Sequence, residues 1–191
     1  PVILFSGGEP LMRKDLPDLA CYAVAQGMRA VISTNGTLIT AEKAAVFREI
    51  GLSYVGVSLD GMKATHDRFR GKDGAFDATL KGIRICRDLG LKGGVRFTIN
   101  RHNAADVPAI FDLLEKENIP RCCFYHLVYS GRGSKLIGED LSHEETRALL
   151  DLIMDRTKDL FDRGLEKEIL PVDNHADGPT CGSAQPIHQR R

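Results

Sequence analysis

The chain has no excess of charge. Its 191 residues carry 26 lysines and arginines against 26 aspartates and glutamates, so its net balance draws it neither to nucleic acid nor to an anionic membrane. No apolar run approaches the roughly 20 residues that a membrane-crossing helix needs. The opening segment has no signal-peptide pattern of a basic stretch followed by an apolar helix. The expectation is therefore a protein that meets no nucleic acid and no membrane. The five cysteines lack any C-x-x-C or C-x-x-x-C-x-x-C spacing, which leaves no metal ligand or cluster motif to claim. Cys21 and Cys86 fall in helix-like stretches, Cys122 and Cys123 adjoin in a strand-like run, and Cys181 sits in a polar tail. Adjacent strand residues point to opposite faces, so Cys122 and Cys123 do not easily share a ligand. Most read as small buried residues in a reducing cytosol, and the expected location is cytoplasmic.

What is present is an ordinary globular composition, 42% hydrophobic and 27% charged, fitting one domain or a large part of one. Apolar β-rich runs recur at Val2–Phe5, Arg29–Ser33, Tyr54–Leu59, Val95–Ile99 and Cys122–Val128. Amphipathic stretches separate them. One covers about Arg13 to Gln26. A second starts behind Thr40 as N-cap and stops at Gly51. A third spans about Ala75 to Leu89, and a fourth starts after Asn103 and ends before Pro120. Ser142 with Glu145 forms a capping box for a last helix that reaches about Arg163. Glycines at 27, 51, 90 and 164 stand where helices end. Strand followed by helix, repeated, predicts an α/β fold with a parallel sheet and helices packed outside. In such folds ligands bind at the carboxyl ends of the strands, where Glu9, Asn35, Asp60, Asn100 and Tyr129 fall. These five are expected to converge.

The most informative segment is Ser6-Gly7-Gly8-Glu9-Pro10, directly after the first strand. Two glycines let a backbone approach a ligand closely, Pro10 fixes the loop exit, and Glu9 offers an acceptor to a cation such as an ammonium group. Neither the Lys-Ser/Thr of a P-loop nor the third glycine of a dinucleotide fingerprint follows. Ser33-Thr34-Asn35-Gly36 ends the second strand and offers hydroxyl and amide groups, though on its own it reads first as a plain hydrogen-bonded turn. Ser58-Leu59-Asp60-Gly61 ends the third, with Ser58 and Asp60 on one face. His66 has no second histidine or cysteine at ligand spacing, while Arg70 has the guanidinium that clamps a carboxylate. Phe124, Tyr125, His126, Tyr129 and Arg132 either flank a flat ring or form a buried strand and a turn.

Together these motifs resemble the core of a radical S-adenosylmethionine (SAM) protein, of the kind often followed by a SPASM-type domain. The resemblance runs from Val2 to about Asn100, with the motifs in order at successive strand ends. The segments Phe124–Gly133, Leu141–Thr146 and Val172–Gly178 are similar to the NirJ-like proteins of d1-type haem synthesis and their relatives in the sirohaem-based haem route. The resemblance implies a partial TIM-like (βα)6 radical SAM barrel with its first strand missing, over residues 1–178, and a disordered or frameshifted tail over 179–191. It also implies SAM and a 4Fe–4S cluster as cofactors, with the cluster's cysteine loop expected upstream of this chain. The reaction implied is modification or removal of tetrapyrrole propionate side chains, with an electron donor such as flavodoxin or ferredoxin. By motif match, Gly7, Gly8, Glu9 and Pro10 form the loop that holds the methionine amino group. Ser33, Asn35, Ser58 and Asp60 lie near the ribose or the methionine carboxylate. Arg70 is a candidate for a carboxylate contact, and Asn100 and Tyr129 approach the nucleoside. Opening on Pro1 and ending without a cysteine-rich region, the chain reads as a fragment, inactive alone and prone to aggregate through an apolar edge strand. Two other readings stay open: a radical SAM maturase of a ribosomal peptide, and a non-catalytic SAM- or nucleoside-binding remnant.

Overall fold

The computed structural model describes residues 1–127 and 138–172. The calls made on Tyr129, on the segment 128–133 and on the tail 179–191 lie outside these residues, as does most of 172–178.

Six parallel strands form one sheet in sequential order. They are β1 (Val2–Phe5), β2 (Arg29–Thr34), β3 (Tyr54–Ser58), β4 (Gly93–Thr98), β5 (Arg121–Tyr125) and β6 (Glu168–Val172). Between them run α1 (Leu16–Ala25), α2 (Ala41–Ile50), α3 (Lys63–Arg70), α4 (Ala75–Asp88), α5 (Val107–Lys116) and α6 (His143–Asp162). Sequential order with right-handed crossovers places every connecting helix on the same face of the sheet. The sheet is open, with β1 and β6 as its two edges among the described residues.

The strand periodicity sorts side chains between two faces. Ile32, Val55, Val57, Val95, Phe97, Cys122 and Phe124 point into the helix-covered core with Leu80, Ile83, Phe111 and Leu114. Phe124 stacks on Phe111 at 5.7 Å and meets Phe97 edge-on at 5.6 Å. The alternate positions, among them Ser33, Ser58, Arg96 and Tyr125, stand half-buried on the opposite, open face. Cys122 faces the core and Cys123 the open face, each of them a free thiol.

Local signals set most boundaries. The Thr40 hydroxyl accepts from the Lys43 amide, and Gly51 takes a left-handed conformation to end α2. Both bonds of the Ser142–Glu145 capping box form at the head of α6. Two elements escape the sequence reading. Helix α3 is short and polar, with His66 its only buried residue, so it has no apolar stripe to reveal it. Strand β6 contains Pro171, a residue that a strand tolerates at an edge, where one side of its ladder is unpaired.

A continuous polar rim at the strand ends

The loops after β1, β2, β3 and β4 are tied to one another by a chain of hydrogen bonds. It begins at Glu9. Its carboxylate accepts from the Leu11 amide at 3.0 Å, the Thr34 hydroxyl at 2.6 Å and the Asn35 amide at 2.8 Å. The side chain read as an ammonium acceptor therefore has three internal donors, and it fixes the first loop against the second. Gly7 sits at φ 138°, a conformation that disfavours a side chain, and no atom lies within 4 Å of a Cβ built there or at Gly8. The glycine backbone lies open where the glutamate side chain is engaged.

Asn35 turns its own loop, its Oδ1 accepting from the amide and hydroxyl of Thr37. Its carbonyl accepts from the Thr79 hydroxyl of α4 at 2.9 Å. The close approach of α4 to this loop depends on Gly82, where a Cβ would lie 2.3 Å from the Gly36 carbonyl oxygen.

Thr79 leads to His66, whose Nε2 lies 3.5 Å away. The other ring nitrogen, Nδ1, accepts from the Asp60 amide at 3.0 Å. Since Nδ1 accepts, and the Thr79 proton is already given to Asn35, a neutral ring protonated on Nε2 satisfies the network. Burial lowers the His66 pKa, Asp60 opposes that effect, and Arg70 adds to it. His66 is 1% exposed and stands edge-on to Phe76. It braces the site, and the described residues hold no cluster of three or more histidines, cysteines or carboxylates fit for a metal.

Asp60 is the next link. Arg70 Nε lies 2.6 Å from its Oδ2, but out of line for a hydrogen bond, so this buried oxygen has a counter-charge and no donor. The Asp60 carbonyl accepts from Asn103 Nδ2 at 3.0 Å, which also donates to the Thr98 carbonyl at 2.9 Å. Asn103 Oδ1 accepts from the Asn100 amide at 2.8 Å, closing the chain at the end of β4. Asn100 Oδ1 in turn accepts from the His102 amide at 2.9 Å. Ser33 and Ser58 stand just below on the open face. Asp67, adjacent to His66, accepts from the Phe76 and Gly74 amides and anchors the start of α4. Those bonds, that to Phe76 foremost, lower its pKa.

The structure thus brings Glu9, Asn35, Asp60, Arg70 and Asn100 to one rim. Thr34, Thr79 and Asn103 are the members the sequence reading did not single out. Threonine within a helix and asparagine before one carry no motif of their own. A recess of about 1700 Å³ lies at the opposite ends of the strands, against Tyr54, Arg121, Pro120, Ile153 and Phe161. It contains none of the rim residues.

A parallel sheet in sequential strand order, with polar side chains gathered at its carboxyl ends, has the arrangement of a partial, unclosed (βα) barrel. The family model of the radical SAM superfamily matches residues 1–114. The chain belongs to that superfamily. It is 65% identical over 179 residues, 94% of its length, to Fe-coproporphyrin III synthase of Methanosarcina barkeri, covering 45% of that protein. It is 43% identical over 178 residues to pre-heme d1 synthase of Dinoroseobacter shibae, covering 93% of this chain and 44% of the relative. The chain therefore spans about half the length of the relatives it matches. Among solved structures, Streptococcus suis SuiB bound to precursor peptide SuiA superposes with a TM-score of 0.76 at 16% identity, over 95% of this chain and 40% of SuiB. That likeness establishes the fold.

Proposed function

We propose that this chain is the SAM-binding part of a radical SAM enzyme that modifies or removes propionate side chains of a tetrapyrrole in haem or d1-type haem synthesis. The observation that carries this reading is the 65% identity to Fe-coproporphyrin III synthase over 94% of the chain. The peptide-maturase reading has 30% identity over 181 residues to PqqA peptide cyclase of Gluconobacter oxydans and a shared fold with SuiB at 16% identity behind it, a weaker ground than 65%.

The rim fits SAM. The open Gly7–Gly8 backbone, held in place by Glu9 and Pro10, offers carbonyl acceptors to the methionine ammonium. Ser33, Asn35, Ser58 and Asp60 supply polar groups for the ribose and the methionine end. Arg70 stands by for a carboxylate, and Asn100 and Tyr129 for the nucleoside. SAM bound in such an enzyme supplies a carbon-centred radical that takes hydrogen from the substrate. The described residues do not form a ligand set for the 4Fe–4S cluster that the family implies. A flavodoxin or ferredoxin as electron donor and a cytoplasmic location complete the reading. No helix among the described residues is long and apolar enough to cross a membrane.

The test is turnover by the full-length protein, reconstituted without oxygen and given SAM, reductant and either a propionate-bearing tetrapyrrole or a peptide. The reading expects tetrapyrrole-dependent 5′-deoxyadenosine and a mass change in the tetrapyrrole. Stimulation by the peptide alone would overturn it.

A further inference from the structure

Below the rim, on the open face, one arginine is held in place without a counter-charge among the described residues. Arg96 lies on β4 opposite Ser58 of β3 and two residues before Thr98. It is half-buried, and its guanidinium carbon stands 4.7 Å from the centroid of the Tyr125 ring. Gly56 on the neighbouring strand makes room for it, since a Cβ there would lie 2.8 Å from Arg96 Cδ. The other arginines around the site are neutralised: Arg70 by Asp60 at the rim, and Arg121 by Glu168 at the far end of the same face. Among the described residues no carboxylate lies within ion-pair distance of Arg96. The side chains nearest in register are Ser58, Thr98, Cys123 and Tyr125, none of them a carboxylate.

A guanidinium removed in part from water loses hydration that only an anion with matching geometry restores fully. Its position over the Tyr125 ring holds the guanidinium, and a guanidinium so held can meet a carboxylate in a two-pronged contact. We infer that Arg96, set on Tyr125, is the seat for a carboxylate of the substrate, one step down the sheet from the SAM-binding rim. The inference rests on the tetrapyrrole reading above, which supplies a substrate with several propionates. The same chemistry would also hold the methionine carboxylate of SAM. Arg96 stands on β4, with β2 and β3 between it and the β1 loop read as holding the methionine end, so it is assigned to the substrate.

The experiment measures affinity, not turnover. The full-length protein is titrated with coproporphyrin III and with its tetramethyl ester in the same micelles, read by Soret absorbance, and SAM binding is followed by equilibrium dialysis. Wild type should prefer the free acid. Arg96→Gln should weaken acid binding by roughly 10- to 100-fold, the worth of one charge-assisted pair, and leave ester and SAM affinities unchanged. Arg96→Lys should recover part of the loss. Equal loss for acid and ester, loss of SAM binding, or unchanged preference for the acid would each overturn the assignment, and the last of these leaves the tetrapyrrole reading standing. Failure of wild type to bind either porphyrin removes the tetrapyrrole reading, and the assignment falls with it.

Discussion

Replacing His66 by phenylalanine removes both ring nitrogens and nearly preserves the volume and the edge-on contact with Phe76. The Asp60 amide, which donates to Nδ1 at 3.0 Å, is left buried without an acceptor. That costs about 1–3 kcal/mol. The 3.5 Å approach to Thr79 is too long to add much. The stronger test is pH. Burial lowers the His66 pKa below its ordinary 6.5, so between the two values the unfolded chain binds a proton that the native state refuses. Stability is therefore complete above about pH 6.5 and falls on acidification, by at most about 1.4 kcal/mol per pH unit. The phenylalanine variant has no such proton to take up. Urea unfolding at pH 7, 6 and 5 stays above the range where ordinary carboxylates titrate. The gap between wild type and His66→Phe should be widest at pH 7 and narrow towards pH 5. A constant gap, or one that widens in acid, would refute the neutral, Nδ1-accepting histidine.

Glu9→Gln replaces an oxygen that accepts with a nitrogen that donates, against three donors already in place. It should lower stability by about 1–2 kcal/mol and speed hydrogen exchange at the Leu11 or Asn35 amide. Unchanged exchange at both would show that the carboxylate does not fix the loop. Gly82→Ala drives a Cβ to 2.3 Å from the Gly36 carbonyl oxygen and should cost about 1–3 kcal/mol, seen as a lowered Tm. Gly138→Ala meets nothing within 4 Å and serves as the control. Equal Tm values for the two variants would count against the packing of α4 on the Asn35–Gly36 turn.

The strands and most helices are legible in the sequence because their signals are local. Thr40, Gly51, Ser142 and Glu145 act within one turn of themselves, and the apolar runs β1 to β5 announce burial on a parallel sheet. Helix α3 and strand β6 are not legible. The first is held by one buried histidine that meets Asp60 of the loop after β3 and Phe76 and Thr79 of α4, and the second by pairing with β5. Neither cause is local.

The same division holds at the site. By itself the sequence determined that Glu9, Asn35, Asp60 and Asn100 stand after successive strands, and in a parallel sheet those positions share one end. Only the tertiary structure decided what each side chain does there. Glu9 turns inward to Thr34 and Asn35. His66 becomes a brace, and Thr79 and Asn103, which carry no motif, join loops distant in sequence. Arg96 is left on the open face without a counter-charge among the described residues. The physical reason is the range of the interactions. Strand order and helix caps are set by neighbours along the chain, whereas the partner of a buried polar group is whichever donor or acceptor folding brings within about 3 Å.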